Sequence, residues 1–341
     1  MKTYWVYEED YRDILNYLCD MDKALSIGYI DPPPMEDLKK YVYSKGRSLV
    51  TRIDGEIKGL VRIEDGLDRF CTFTMRNICI EPDIFTELMD YIYRIGRARG
   101  HRYIEFIDVP GYMGGLIDRL RDYGFSVSRS FRKRYFLDGE YFDAYHGYIE
   151  VEGYEPYTYS GRDLYPVVNV ERPSKYILGF RSISLNDVDD YLEAVNHPNV
   201  YKYTTRAIYT GEIHRENVIN RIKAILEDPF SRSIVCVDEE NDKAVGFLTL
   251  NKLRNPLSRH VGRIGIFVNP RYQGLGIGKK LMHECELLAK RMGLRKLELF
   301  VFSFNEVAIK LYENIGYRCC GKLPGIFNGE YHEIISMEKF L

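Results

Sequence analysis

Glycines and prolines recur through this 341-residue chain in one order and at a nearly constant offset, so it reads as two versions of a single arrangement of strands and helices. Gly59 recurs as Gly246 at an offset of 187, and Pro82 recurs as Pro270 at 188. Further on, Gly100 recurs as Gly293 at 193, Gly124 as Gly316 at 192, and Gly139-Glu140 as Gly329-Glu330 at 190. Arg102 and Glu105 fall on Arg295 and Glu298 at the offset of Gly100. Between Pro82 and Gly100 the offset jumps by five residues, so the second version carries a longer connection there. A chain of this length also exceeds the roughly 100 to 200 residues of an ordinary domain. The stretch 151–175, VEGYEPYTYSGRDLYPVVNVERPSK, is rich in Gly, Pro, Ser and Tyr and keeps no helical or strand period. It is expected to link one domain over 1–150 to another over 176–341.

The second version has the cleaner pattern. Ser233 to Asp238 and Ala244 to Leu250 are apolar runs joined by the polar turn Glu239-Glu240-Asn241-Asp242, which predicts a hairpin. His260 to Val268 is a further strand, closed by Asn269-Pro270. Over Lys279 to Met292 the spacing puts Leu281, Met282, Cys285, Leu288, Ala289 and Met292 on one helical face, ended by Gly293. Leu297, Leu299 and Val301 alternate as a strand, and Ala308, Leu311, Tyr312 and Ile315 mark a second helix ending at Gly316. The first version follows the same order, with Ile104, Phe106, Leu116, Ile117 and Leu120 as candidate core.

The 48 basic and 50 acidic side chains, with a pI near 6.4, leave no overall positive field to hold nucleic acid or an anionic membrane, so a small molecule or peptide is the expected partner. The seven cysteines are scattered and never spaced as CxxC. They read as reduced, packed thiols of a cytoplasmic protein rather than as a disulfide or zinc framework. The start MKTYWVYEEDYRD lacks the apolar stretch of a signal peptide, and no run approaches the roughly 18 apolar residues of a membrane span, so a soluble, unexported protein with no metal is expected.

The chemistry lies in the longer connection. Val268-Asn269-Pro270-Arg271-Tyr272-Gln273-Gly274-Leu275-Gly276-Ile277-Gly278-Lys279 runs from a strand end through a glycine-rich loop into a helix start. Backbone N–H groups can turn inward there without a Cβ in the way, and the helix start adds partial positive charge, which suits a pyrophosphate. A dinucleotide fingerprint fails, because the third position counted from Gly274 and Gly276 is Lys279. A P-loop fails as well, since Lys280 follows Gly278-Lys279 and Gln273 stands where the first glycine belongs. The spacing that remains, Gln273-x-x-Gly276-x-Gly278, resembles the acetyl-CoA signature of the GNAT (Gcn5-related N-acetyltransferase) superfamily.

The resemblance covers about 176–341. Asn305-Glu306-Val307-Ala308-Ile309-Lys310-Leu311-Tyr312-Glu313-Asn314-Ile315-Gly316-Tyr317 resembles the family's NxxAxxLYxxxGF segment, and Gly329-Glu330-Tyr331 ahead of Ile335-Ser336-Met337 resembles its closing hairpin. It implies an α/β (α+β) fold of two GNAT-like domains, each a mixed, mostly antiparallel sheet flanked by helices. It also implies an N-acetyltransferase that moves the acetyl group of acetyl-CoA directly to a primary amine of a small molecule or peptide. By the same resemblance the strand ending at Val268 splays from the next, and backbone groups near Phe267 and Val268 hold the pantetheine arm. Amides of Gln273, Gly274, Gly276, Ile277, Gly278 and Lys279 hold the pyrophosphate, Asn305 lies along the cofactor, and Tyr312 protonates the departing thiolate. A phenol of pKa about 10 can protonate a thiolate whose conjugate acid lies near 8.5 only slightly uphill.

Alternatives stay open at this level. Tyr312 also fits as an aromatic on a helix's core face, and a non-catalytic acetyl-CoA binding or sensing module would share the loop. The base that takes the amine's proton is unassigned among His260, Glu298, Glu330, His332 and Glu333. Cys319-Cys320 could suggest an acyl relay, but neighbours on a strand face opposite ways and packing suffices. Tyr201, Tyr203 and Tyr209 lie in a segment, 196–214, that often roofs the acceptor site in the family. In the first version Tyr312 falls on Leu120 and Asn305 on Met113, and the glycine loop is shortened. That version is expected to be a degenerate copy with a structural role.

Overall fold

What repeats in the glycines repeats in the topology. The computed structural model describes residues 1–18, 47–66, 72–152, 171, 173, 175–203, 214–327 and 330–341; most of the expected linker, with Tyr209 and Gly329, lies outside them. One sheet has the order β1-β2-β3-β4-β5-β7-β6. Its strands are β1 (Lys2–Trp5), β2 (Arg47–Ile53), β3 (Glu56–Gly66), β4 (Thr72–Ile80), β5 (Tyr103–Pro110), β6 (Ser126–Leu137) and β7 (Glu140–Glu150). The other sheet has the order β8-β9-β10-β11-β12-β14-β13. It consists of β8 (Leu178–Arg181), β9 (Ser231–Asp238), β10 (Lys243–Lys252), β11 (Val261–Val268), β12 (Lys296–Phe302), β13 (Arg318–Phe327) and β14 (Glu330–Phe340). Moving seven strands along the chain converts one order into the other. In each sheet one pair is parallel, β4 with β5 and β11 with β12, amid antiparallel neighbours.

The chain divides into two compact units. The first holds Met1–Tyr159 with Asn255–Ser258 and Cys320–Glu333; the second holds Ser160–Arg254, Arg259–Cys319 and Ile334–Leu341.

In the second unit, helices cover both faces of the sheet, because its central strands are apolar on both sides. On one face lie α6 (Ile277–Arg291) and α7 (Glu306–Asn314). Leu281, Met282, Cys285 and Ala289 of α6 form a core with Val245, Leu248, Leu297 and Leu299. On the other face α4 (Val188–Asn196) and α5 (Arg215–Glu227) bring Val188, Tyr191, Val218 and Ile222 against Val235 and Phe247. Each fully buried leucine contributes about 1.5 to 3 kcal/mol, so removing Leu281 to alanine would cost about 2 to 5 kcal/mol with the cavity included.

The first unit repeats the scheme with α2 (Phe85–Ala98) and α3 (Gly114–Tyr123) on one face and α1 (Tyr11–Tyr17) on the other. Leu88, Met89 and Ile92 pack with Ile104, Phe106, Leu116, Ile117 and Leu120, while Ile14 and Leu18 pack with Val50 and Leu60. The matched glycines now have a physical reason. A Cβ on Gly246 would stand 2.8 Å from Ile277 and 2.9 Å from Leu281, and one on Gly59 would stand 3.0 Å from Leu88. Close helix-on-strand approach therefore fixes glycine at both positions.

The expected helix over Lys279 to Met292 begins two residues earlier, at Ile277, because Ile277 itself is core. Among the described residues, no helix is long and apolar enough to cross a membrane.

Candidate active site

The site follows from a parallel pair that stops halfway. β11 and β12 are in register at Val261↔Lys296, Gly262↔Leu297 and Arg263↔Glu298, and no register follows. Each strand stays paired on its outer side, β11 with β10 as far as Gly246↔Val268 and β12 with β14 as far as Phe302↔Ile334. Residues 264–268 and 299–302 therefore face a gap in which their backbone groups have no strand partner across the opening. Backbone donors and acceptors held this way accept an extended ligand that carries amides of its own.

At the same end of β11 the chain enters the glycine loop. Asn269 caps the turn by accepting from the Arg271 amide (3.1 Å). The buried Tyr272 hydroxyl donates to Asp238 (2.8 Å), and burial together with that carboxylate pushes its pKa up to about 12. Gln273 donates through Nε2 to the Val268 carbonyl (3.1 Å), tying the loop back to the strand end. Gly274 and Gly276 then adopt left-handed φ of +79° and +77°, which side-chain-bearing residues rarely tolerate. A Cβ on Gly276 would meet nothing within 4 Å, so the loop faces open space there. α6 starts at the next residue and presents the unpaired first-turn amides of any helix. Ile277 is buried, so its side chain serves the core and only its amide is available to a ligand. Gly278 lets α7 approach, since a Cβ there would stand 3.0 Å from Leu311. Lys279 is exposed.

Phe267 and Val268 point to opposite faces of β11. Val268 packs toward the α6 core, whereas the Phe267 ring sits 4.9 Å from Tyr191 of α4 and 5.0 Å from Phe247. Asn305 is the N-cap of α7 and accepts from the Ala308 amide (3.3 Å). Tyr312 is buried on the same helix, its ring 6.0 Å from Tyr317, and burial holds its pKa above the ordinary phenol value.

The sequence model of the acetyltransferase (GNAT) family matches residues 196–317, a span that includes the gap, the loop, Asn305 and Tyr312. This stretch of the chain is a GNAT domain. An uncharacterized N-acetyltransferase of Methanocaldococcus jannaschii is 32% identical over 140 residues, 40% of this chain and 59% of that protein. The spermine/spermidine N(1)-acetyltransferase of Bacillus subtilis is 38% identical over 65 residues, 19% of this chain and 41% of that protein. A solved GNAT-family acetyltransferase of Streptococcus pneumoniae aligns with a TM-score of 0.43 at 21% identity, covering 48% of this chain and 100% of its own. The chain spans about 60% of the length of the first curated relatives it matches.

The candidate bases resolve unequally. Glu298 is fully buried and ion-paired with Arg263 (2.9 Å) at the last register before the gap. His260 precedes β11, at the end away from the opening, where its carbonyl accepts from Arg295 and Lys296. Glu333 and His332 belong to the first unit, where Glu333 pairs with Lys322 (2.6 Å); the side chain of Glu330 lies outside the described ones. Cys319 is exposed, and Cys320 donates to the Ser130 carbonyl (2.9 Å), a packing contact of the first unit.

The first unit has the same half-paired strands without the rest. β4 and β5 are in register from Thr72↔Tyr103 to Met75↔Phe106 and then lose the simple register. Only 81–84 separate β4 from α2, against 269–276 between β11 and α6, and no left-handed glycine lies among them. Met113, at the matched cap of α3, makes no side-chain cap bond, and Leu120 is buried core.

Proposed function

We propose that residues 176–341 form the catalytic segment and transfer an acetyl group from acetyl-CoA to a primary amine of a small molecule or peptide. The observation that carries this reading is the continuity of the strand gap with the left-handed glycine loop at one end of β11. An amide-bearing pantetheine arm fits the gap, and a pyrophosphate fits the loop and the α6 start. Residues 1–150 serve structure, joined to the catalytic segment through 151–175.

The thioester supplies the acetyl group, and the chain supplies position and protons. Backbone groups of Phe267 and Val268 hold the arm along β11. Amides from Gln273 through Gly274, Gly276, Ile277 and Gly278 to Lys279 hold the pyrophosphate, with Asn305 beside the arm at the head of α7. As the amine nitrogen bonds to the carbonyl carbon and the carbon–sulfur bond breaks, Tyr312 gives its proton to the sulfur. Burial raises the Tyr312 pKa, which keeps the phenol protonated but makes the transfer to a thiolate more uphill, so stabilisation of the developing phenolate on closure around the cofactor has to offset it. The amine's own proton leaves to water or a base.

Release of free thiol from acetyl-CoA, followed with a panel of primary amines, tests the proposal. Amine-dependent release is expected. Binding of coenzyme A with no release for any amine would instead make the chain an acetyl-CoA binding module.

A further inference from the structure

The gap has two faces, and the face away from α6 is lined by rings. Leu299 and Val301 belong to the α6 core, so Phe300 and Phe302 point the other way. The Arg263 guanidinium lies 5.1 Å over the Phe300 ring, which places Arg263, Glu298 and Phe300 on that same face. Along β12 and just past it the rings continue: Phe302 and Phe304 stack at 5.0 Å, and Phe304 meets Tyr203 at 5.8 Å. On β11 this face carries Arg263, Gly265 and Phe267.

Gly265 is the opening in that wall. It is exposed, its φ is not left-handed, and a Cβ added there would meet nothing within 4 Å. Its glycine is therefore demanded neither by backbone strain nor by packing within the chain. On this face Phe267 and Phe300 flank it on the two strands, the half-buried Phe304 and Tyr203 follow past the end of β12, and at the closed end stands a carboxylate already paired with Arg263. Among the described residues the other carboxylate on this face, Glu338, lies opposite Glu298 and is fully buried against Lys296 (2.9 Å), so neither is free for a polycation, whereas stacked and tilted rings favour a flat aromatic body.

Building on the acetyltransferase reading, we infer that the acceptor is a primary amine carried on an aromatic body, an arylalkylamine, and that Gly265 is the residue that admits it. Register carries the argument further. Counted from the parallel pairs, Thr74↔Glu105 matches Arg263↔Glu298, so Arg76 of the first unit occupies the position of Gly265. Arg76 fills its own opening, reaching Asp108 of β5 (3.2 Å) and Glu64 of β3 (2.8 Å).

The experiment uses the full chain with 2-phenylethylamine, tyramine and spermidine as acceptors, comparing wild type, Gly265→Ala, Gly265→Leu and Phe304→Ala. Calorimetric binding of coenzyme A reports folding in each variant. We expect the aromatic amines to exceed spermidine in kcat/KM by about tenfold or more, the range that pocket shape alone can give. Gly265→Leu should raise KM for the aromatic amines about tenfold, Gly265→Ala less, and Phe304→Ala should raise it too, with KM for acetyl-CoA unchanged. Spermidine acetylated as well as the aromatic amines, or an unchanged KM in Gly265→Leu with coenzyme A still bound, overturns the inference and leaves the acetyltransferase reading standing. Coenzyme A binding without acetylation of any amine overturns both.

Discussion

Two openings in sheets of the same strand order are finished differently. In the second unit β11 and β12 part beside Gly265, Gly274 and Gly276, and the chain leaves room along the gap and at its mouth. In the first unit β4 and β5 part beside Arg76, and the room is taken by an ion-pair cluster in which Asp108 holds Arg76 (3.2 Å) and Arg134 (3.5 Å). Asp108 adopts a left-handed φ of +59° to reach them, a conformation that costs a side-chain-bearing residue energy. Strand order and core packing are thus shared, and what differs is whether the chain fills its own gap. A fold of this kind keeps its stability when the site is closed, because the helices and not the gap bury the core.

The contrast can be broken most forcefully at the second helix after each gap. Tyr312→Phe is expected to lower kcat by about 10²-fold with KM for acetyl-CoA little changed, the size typical of removing a positioned acid. Leu120, its counterpart in the first unit, should affect stability alone. Because burial raises the Tyr312 pKa above its ordinary value near 10, the acid stays protonated as pH rises. Activity should then climb with pH as the amine loses its proton, and show no falling limb below about pH 10. A fall beginning near pH 8 would contradict the assignment.

A smaller effect is expected in the loop. Gly276→Val forces a β-branched residue into φ +77°, and at about 1 to 3 kcal/mol of strain it should weaken coenzyme A binding about tenfold or more. Asp83→Ala in the short connection of the first unit should leave that affinity unchanged, as measured by titration. Smallest is Arg76→Gly, which strips a partner from Asp108 and Glu64. Both are partly solvated, so chemical denaturation should show a loss of about 1 kcal/mol or less. Appearance of a second coenzyme A site in that variant would mean that the ion pairs alone close the first unit.

Much of this was legible in the sequence, for reasons that differ by residue. Gly59 and Gly246 were visible as a repeat because each lies under a helix that leaves no space for a Cβ. Gly274 and Gly276 stood out because left-handed turns select glycine so strongly. The true helix start at Ile277 is hidden in the sequence, since Ile277 sits beside glycines and its burial depends on contact with Gly246 of a distant strand. Gly265 gave no signal, because a glycine that faces empty space resembles any other until register sets it against Arg76. The membership of Asn255–Ser258 and Cys320–Glu333 in the first unit was equally hidden, as it depends on contacts far apart in the chain. The charge pair Arg263–Glu298 also needed the parallel register, since 35 residues separate the partners.

Calorimetric titration of the full chain with coenzyme A bears most directly on the contrast between the two units. The account predicts one site per chain, weakened about tenfold or more by Gly276→Val and indifferent to Asp83→Ala. Two sites of similar affinity, or a single site that survives Gly276→Val unchanged, would contradict it.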